Sequence, residues 1–460
     1  MLKRIERAVF FFAVFFLPFQ AGKHFWPDFS FVGGLRVDYL SPTLHATDIL
    51  IILLFLMVVL EWIRGIRRIR VRLNLPFSLV GFYCGLRGAL AVGKGIRIGR
   101  RIIFFLVFLF LLIFPFFFAS SPEAVIFGGI KFLEFSFFAI YIAKKLSFRD
   151  KDVLIDSLSI GAIIVSFIAI IQFLKQGSVG GFLYLLGERT FTSSTIGIAN
   201  MSLDGALILR SYSTFPHPNI LAFFLFMVVI LAFFKVKNEK DLYEKIFLMI
   251  TLLISAIALF LTFSRTVIIC FLLFAVYYFV FSFKKKKVKM SVFTLLFLGV
   301  VVTISYFVVY SSRFFDFDSF LQGFVPRQDL LNVAMLIFRE SPIVVGVGIN
   351  NFYIHEILYQ KNISSTLLQP VHNIYALVLV EIGLLGLLGF LGFFRESVKI
   401  LLKKIIKYKR KELKDFYKGV LVLMVSIMFV GFFDHFFLTL QQGQMMLALI
   451  IGLAWSRTRN

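Results

Sequence analysis

The chain reads as an all-α, polytopic integral membrane protein of about twelve transmembrane helices with a helical external lid loop. Three observations predict this. Of the 460 residues, 60% are hydrophobic and 63 are Phe, and the mean hydropathy is +0.92. No soluble protein of this size buries that much apolar surface. Apolar runs long enough to cross a bilayer recur along the chain, and Lys or Arg ends each of them. The formal charge of +24 is spread unevenly between the loops. If the N-terminus is cytoplasmic, most of the 49 Lys and Arg fall on cytoplasmic segments, as the positive-inside rule requires. The charge is therefore topological and calls for no nucleic-acid partner.

The apolar runs predict helices at 7–21, 46–63, 101–119, 124–143, 153–173, 218–235, 245–263, 265–283, 290–310, 372–394, 417–436 and 438–456. Both termini then lie in the cytoplasm, and residues 1–460 form a single membrane domain. Lys3-Arg4 and the apolar stretch after them resemble a signal peptide, but there is no small-x-small cleavage site, so this stretch reads as the first span. Residues 64–100 form a basic segment on the cytoplasmic side. Within it, 75–92 is apolar enough to span, but carries Pro76, Arg87 and three glycines, and reads as interfacial or re-entrant. Cys84 and Cys270 lie too differently for a disulfide. Lys284–Lys287 is a cytoplasmic stop signal.

Three external stretches matter most: 174–217, the turn Thr262-Phe-Ser-Arg265, and the large loop 311–371. All six histidines fall outside the bilayer or at an outer helix end. In the large loop Leu330, Leu331, Ala334, Met335 and Phe338 follow helical spacing, and Ser341-Pro342 ends that helix. Gly346-Val-Gly348 makes a turn, and Phe352, Ile354, Ile357 and Leu358 form a second apolar face. A loop with such faces is a lid rather than a tether.

Arginine is disfavoured outside, so Arg265, Arg210 and Arg327 stand out. Arg265 follows Ser264, a residue type that caps helices, and sits in the first turn of a helix. A cation there opposes the helix dipole unless an anion is bound, and both guanidinium and helix N-terminus favour phosphate. The alternative is snorkelling to lipid headgroups. Arg210 precedes His217-Pro218-Asn219, where Pro218 suits a first helical position. His217 there is either a ligand or a structural helix start. Arg327 either meets a ligand or pairs with Asp329. His372 lies at the N-terminus of a helix, where the dipole keeps an imidazole neutral. It reads equally as a general base or a cap. Asp434-His435 places an acid beside a histidine at membrane level. Asp316 and Asp318 form a weak candidate metal pair. A transferase acting outside has no nucleotide pool and must use a pre-activated, lipid-linked sugar diphosphate.

These residues resemble the bacterial O-antigen ligase and O-antigen polymerase superfamily. Five pieces carry the likeness: Arg210 with His217-Pro-Asn219; Phe263-Ser-Arg265-Thr; Arg327-Gln-Asp-Leu-Leu331; Pro342 with Gly346-Val-Gly348; and His372-Asn373 with Glu381, Gly383 and Gly386. The resemblance implies a cofactor-free, metal-independent, inverting glycan transfer from an undecaprenyl-diphosphate donor to an acceptor hydroxyl on lipid A-core or another glycan. It implies His372 as general base, Arg265, Arg327 and Arg210 on the diphosphate, and Asn373, Glu381, Gly383, His217 and Asn219 in support; Asp434 and His435 join the supporting set from their position at membrane level. Location in the bacterial inner membrane, facing the periplasm, follows from the same likeness, as do membrane lipids as surroundings. Polymerase activity is the alternative within the class, and a transporter or flippase of lipid-linked sugars the alternative outside it.

Overall fold

A computed structural model describes residues 2–73, 110, 114–203, 206–283, 317–359 and 368–456. The predicted helix 290–310, most of 101–119, the segment 75–92 and Asp316 lie outside the described residues. The order of the longer elements is α1 Leu2–Phe16, α2 Ala46–Leu73, α3 Pro122–Lys145, α4 Phe148–Lys175, α5 Pro218–Val236, α6 Leu242–Leu261, α7 Arg265–Phe283, α8 Phe317–Glu340, α9 Phe352–Glu356, α10 Ile374–Lys407, α11 Lys411–Val430, α12 Phe436–Thr439 and α13 Gln441–Trp455. Six of these, α2, α3, α4, α5, α6 and α10, are long and apolar enough to cross a membrane. The protein is helical and membrane-embedded, as its apolar periodicity predicts.

Local chemistry fixes the helix starts. Ser121 caps α3 through Ala124 N–H at 3.3 Å, with Pro122 in the first turn. Ser147 and Asp150 form a reciprocal capping box on α4. Asp241 caps α6 through Glu244 N–H at 2.8 Å. Ser264 departs from expectation: its hydroxyl is buried and finds no partner among the described residues, so it does not cap α7.

The helix α5 is the hub. Nearly all its side chains are buried, and α4, α6, α7, α11 and α13 pack around it. At one side of the bundle, ion pairs gather helix ends. Lys145 meets Glu6 at 3.2 Å and Glu61 at 2.7 Å, Lys237 meets Asp415 at 3.1 Å, Arg7 pairs with Asp150, and Lys235 pairs with Asp156 and Glu244. The histidines lie at the other side. There the segment between α1 and α2 forms two small antiparallel pairs, β1 Gly22–His24 with β4 Thr43–His45, and β2 Phe31–Val32 with β3 Leu35–Arg36.

The predicted helix 372–394 is longer and is broken. At Gly383 the backbone turns to φ 70° and ψ −172°. The helical bonds from 384 to 380 and from 385 to 381 are replaced by an inserted segment. Val347 N–H donates to the Val380 carbonyl and Gly348 N–H to that of Glu381, both at 2.9 Å. Leu384 N–H donates to Ile343 at 2.9 Å and Leu385 N–H to Val344 at 3.3 Å. The lid segment thus completes the helix it interrupts. Buried Ala334 and Ile337 of α8 pack with Val347, Phe352 and Val380. Leu358, expected on an apolar face, is 74% exposed.

A Cβ on Gly383 would collide with the backbone of Val344 and Val345, and one on Gly346 with the backbone of Val380 and Glu381. Both glycines have positive φ. Gly383→Ala and Gly346→Ala should each cost about 1–3 kcal/mol in thermal unfolding of the detergent-purified protein. Gly392→Ala, whose Cβ would meet nothing within 4 Å, should leave the midpoint unchanged. Equal behaviour of all three would contradict the interlocked break.

Candidate functional site

Three helix starts converge at the histidine side. Before α5, His217 holds an extended backbone, as a residue preceding proline must, and its Nδ1 accepts Asn219 N–H at 3.2 Å. Before α10, Asn373 accepts the N–H groups of Tyr375 and Ala376 at 2.9 and 3.0 Å. Asn373, not His372, is therefore the cap. Before α12, Asp434 Oδ1 accepts His435 N–H at 2.8 Å, and His435 Nδ1 lies 2.6 Å from the Thr439 hydroxyl. The predicted helix 417–436 thus ends at Val430, short of Asp434-His435, and the predicted helix 438–456 starts at Gln441, after the short α12. Asp434 and His435 form a turn between α11 and α12.

Side chains tie the three starts together. The His372 and His435 rings meet edge to face at 5.0 Å. Asn219 Nδ2 donates to Asp434 Oδ2 at 2.7 Å, and Arg210 Nη2 donates to Asn219 Oδ1 at 2.6 Å. Arg210 Nε donates to the Thr262 carbonyl at 2.8 Å, at the end of α6 and close in sequence to Arg265. The chain Arg210–Asn219–Asp434 leaves His217 as a helix cap beside the cluster. His372 Nδ1 is buried and has no hydrogen-bond partner among the described residues.

Electrostatics follow from burial and from this crowding. Burial lowers His372 below its usual value, and Arg327 adds to that while Asp434 opposes it. Burial, with help from neighbouring positive charge, brings His217 and His435 down to about 3. Burial alone would raise Asp434, but the charges of His435, His372, His217 and Arg327 hold it well below the carboxylate range. Arg210 falls to about 10, through burial first and then through repulsion by Arg327 and Arg265. Arg327 and Arg265, both predicted from sequence, are thus each within electrostatic reach of Arg210. Arg265 is exposed and Arg327 half-buried.

Glu381 plays a different part. Its buried carboxylate faces the backbone N–H groups of Asn350 and Phe352, at the start of α9. It holds the lid against the broken helix. Among the described residues no group of three His, Cys, Asp or Glu side chains is placed to hold a metal ion.

A cavity of about 2340 Å³ opens here. His217, His372, Asp434 and His435 line its middle; Trp26, Arg36 and Tyr39 line one end. The other end runs as an apolar groove between α3, α10 and α13, past Phe135, Leu385 and Trp455 to Lys399 and Lys403. Sequence reasoning missed Tyr39, which packs edge to face on His435 at 5.5 Å and stacks on Tyr353 at 5.6 Å. It also missed a buried network in the wall. Lys131 Nζ lies 2.9 Å from Asp48, 3.0 Å from Glu134 and 3.3 Å from Gln441, joining α2, α3 and α13. The available signal was an ionisable Lys131 inside an apolar run, with Glu134 one turn on.

His217 and His435 remain neutral in the folded protein below the pH at which they protonate in the unfolded chain. The unfolded state then binds more protons, so stability is lost as pH falls from about 6.5 towards 3. The thermal midpoint should therefore drop between pH 7 and 4.5, and His435→Gln should flatten that slope. A slope unchanged by the substitution would remove His435 from this account.

The family model described as O-antigen ligase matches residues 250–391. That stretch contains Arg265, Arg327, the Pro342–Gly348 turn, His372, Asn373, Glu381 and Gly383, whereas Arg210, His217, Asn219, Asp434 and His435 flank it. No curated protein matches the chain. The match supports the likeness carried by the motifs over this length: residues 250–391 of this membrane protein are similar to the O-antigen ligase family.

Proposed function

We propose that the protein transfers a glycan from undecaprenyl diphosphate to an acceptor hydroxyl, at the outer face of the bacterial inner membrane, as O-antigen ligases do. The observation that supports this reading is the hydrogen-bonded chain Arg210–Asn219–Asp434 beside the paired rings of His372 and His435, with Arg327 and Arg265 near enough to lower the basicity of Arg210. Like charges held this close repel, and a dianionic diphosphate relieves that repulsion while gaining charge-assisted hydrogen bonds. The adjoining apolar groove suits a polyprenyl chain.

In this reading, His372 takes the acceptor proton. The freed oxygen attacks the first sugar carbon from the face opposite the diphosphate, and the carbon–oxygen bond to the phosphate breaks. The configuration inverts, and the arginines take up the negative charge that develops on the leaving group. A neutral imidazole with an unpartnered nitrogen is the form this step needs. Asp434 stabilises the imidazolium once formed. Asn219 and Asn373 position Arg210 and the start of α10.

Polymerase activity uses the same steps with a second lipid-linked glycan as acceptor. One observation favours a transporter instead: the cavity reaches Lys399 and Lys403 on the opposite side of the bundle.

His372→Ala separates these readings. Transfer should fall about 10²- to 10⁴-fold while the donor still binds. In the wild type, transfer should persist at pH 6.5 and decline only below it, as the buried imidazole finally charges. Full turnover in His372→Ala would end the enzyme reading.

The arginines make a second forecast. Because a point charge cannot reproduce a guanidinium fork, Arg265→Lys should be nearly as slow as Arg265→Ala, each by about 30- to 150-fold. Activity should survive excess EDTA. Loss in EDTA with recovery in magnesium would transfer the leaving-group role to a metal.

A further inference from the structure

We propose that the segment 20–45, between α1 and α2, is the wall that binds the acceptor's sugar, with Tyr39 and Trp26 as its stacking faces. This rests on the transferase reading above and names the ligand of one end of the same cavity.

The segment lies outside the O-antigen ligase match, yet it lines much of the cavity beside the histidines. Its two small β-pairs hold it in shape, and the β1–β4 pair runs directly into α2. Tyr39 is backed by the buried Tyr353, nearly parallel at 9° and 5.6 Å between ring centres. Its edge contact with His435 puts it one ring away from His372. Tyr39 therefore stands within reach of a sugar bound at the reacting position.

Further out, Trp26 is braced by His24, stacked at 5.8 Å, and by the Arg36 guanidinium, 4.6 Å from its ring centre. Arg36 Nε pairs with Asp38 at 3.3 Å, and both side chains are 59% exposed. His24 Nδ1 reaches the Thr43 hydroxyl at 2.7 Å and the Ser41 hydroxyl at 3.3 Å.

This chemistry fits a pyranose. One face of such a ring carries C–H bonds that pack on an aromatic face, and its rim carries hydroxyls that both donate and accept. With its Nε turned to Asp38, Arg36 keeps its Nη–H donors for the rim, and the Asp38 carboxylate adds acceptors. A lipid tail would require the aromatic end to lack those charges. The apolar groove that suits a tail lies at the other end of the cavity. Arg210 and Arg265 belong to the leaving group's side. The base needs the acceptor beside it, and Tyr39 adjoins His372 through the His435 ring.

Binding and turnover test this separately. The chain has three tryptophans; Trp62→Phe with Trp455→Phe in the full-length protein leaves Trp26 as the sole indole. The probes are two glycan pools detached by mild acid from the producing cell, one from its polyprenyl diphosphates and one from its other envelope lipids. The second pool should change Trp26 emission saturably. Tyr39→Ala should weaken that response about five- to tenfold, and Tyr39→Phe should leave it intact. Arg36→Gln, at an exposed side chain, should weaken it without lowering the thermal midpoint. No response, or a response to the first pool alone, overturns the proposal. In turnover, Tyr39→Ala should raise the acceptor KM by the same factor and leave kcat and the donor KM unchanged. An unchanged acceptor KM overturns the sugar wall and leaves the role of His372 standing. Full turnover in His372→Ala removes the transferase reading, and the emission titration still decides whether glycans bind at Trp26.

Discussion

Inside a bilayer every backbone N–H and C=O must find a partner within the protein. The break in α10 is governed by that constraint, and much of the site depends on how it is met. Gly383 opens two rungs of the helix, and the segment after Pro342 fills both with its own carbonyls and N–H groups. That segment leads into Asn350 and Phe352, which meet the Glu381 carboxylate. The first part of α10, with Asn373 and His372 at its tip, is therefore a short helical piece anchored by the chain that precedes it. A straight helix through Gly383 would set His372 at a different height and angle.

From that anchor the histidine cluster assembles out of separate helix starts. Each start supplies polar groups that its own helix does not need. Asn373 serves the cap and leaves His372 free; Asn219 joins an arginine to an acid; Asp434 turns the chain and holds its charge among three imidazoles. Burial lowers the basicity of every histidine in the group, but the effect is strongest on His217 and His435. The least affected of the three is the one whose nitrogen lacks a partner.

Much of this was legible in the sequence, for physical reasons. Apolar runs ended by basic residues mark spans, and Pro218 after His217 marks a helix start. The glycines at 346 and 348 marked a turn, whereas Gly383 lay inside a predicted unbroken helix. Their periodicity gave no hint that two distant glycine motifs interlock, because backbone pairing leaves no pattern of side chains. Ser264 looked like a cap by residue type, yet its hydroxyl points elsewhere. Tyr39 was invisible, since an aromatic residue in an external segment is unremarkable until Tyr353 and His435 are packed against it. Lys131 showed as an oddity in a span, but its partners Asp48 and Gln441 come from helices far away in sequence.

The central helix α5 has a consequence for how the protein is made. Of the described helices that pack most closely on it, α4 alone precedes it along the chain, while α6, α7, α11 and α13 are synthesised later. When α5 leaves the ribosome, most of its circumference must rest against lipid, and the finished bundle then replaces that lipid with protein. Its sequence, Pro218-Asn-Ile-Leu-Ala-Phe-Phe-Leu-Phe-Met-Val-Val-Ile-Leu-Ala-Phe-Phe-Lys-Val236, suits both surroundings because it has no polar face to hide in the interval. A polar residue placed in its middle could be tolerated in the completed bundle, next to a suitable neighbour, and still block the protein's birth.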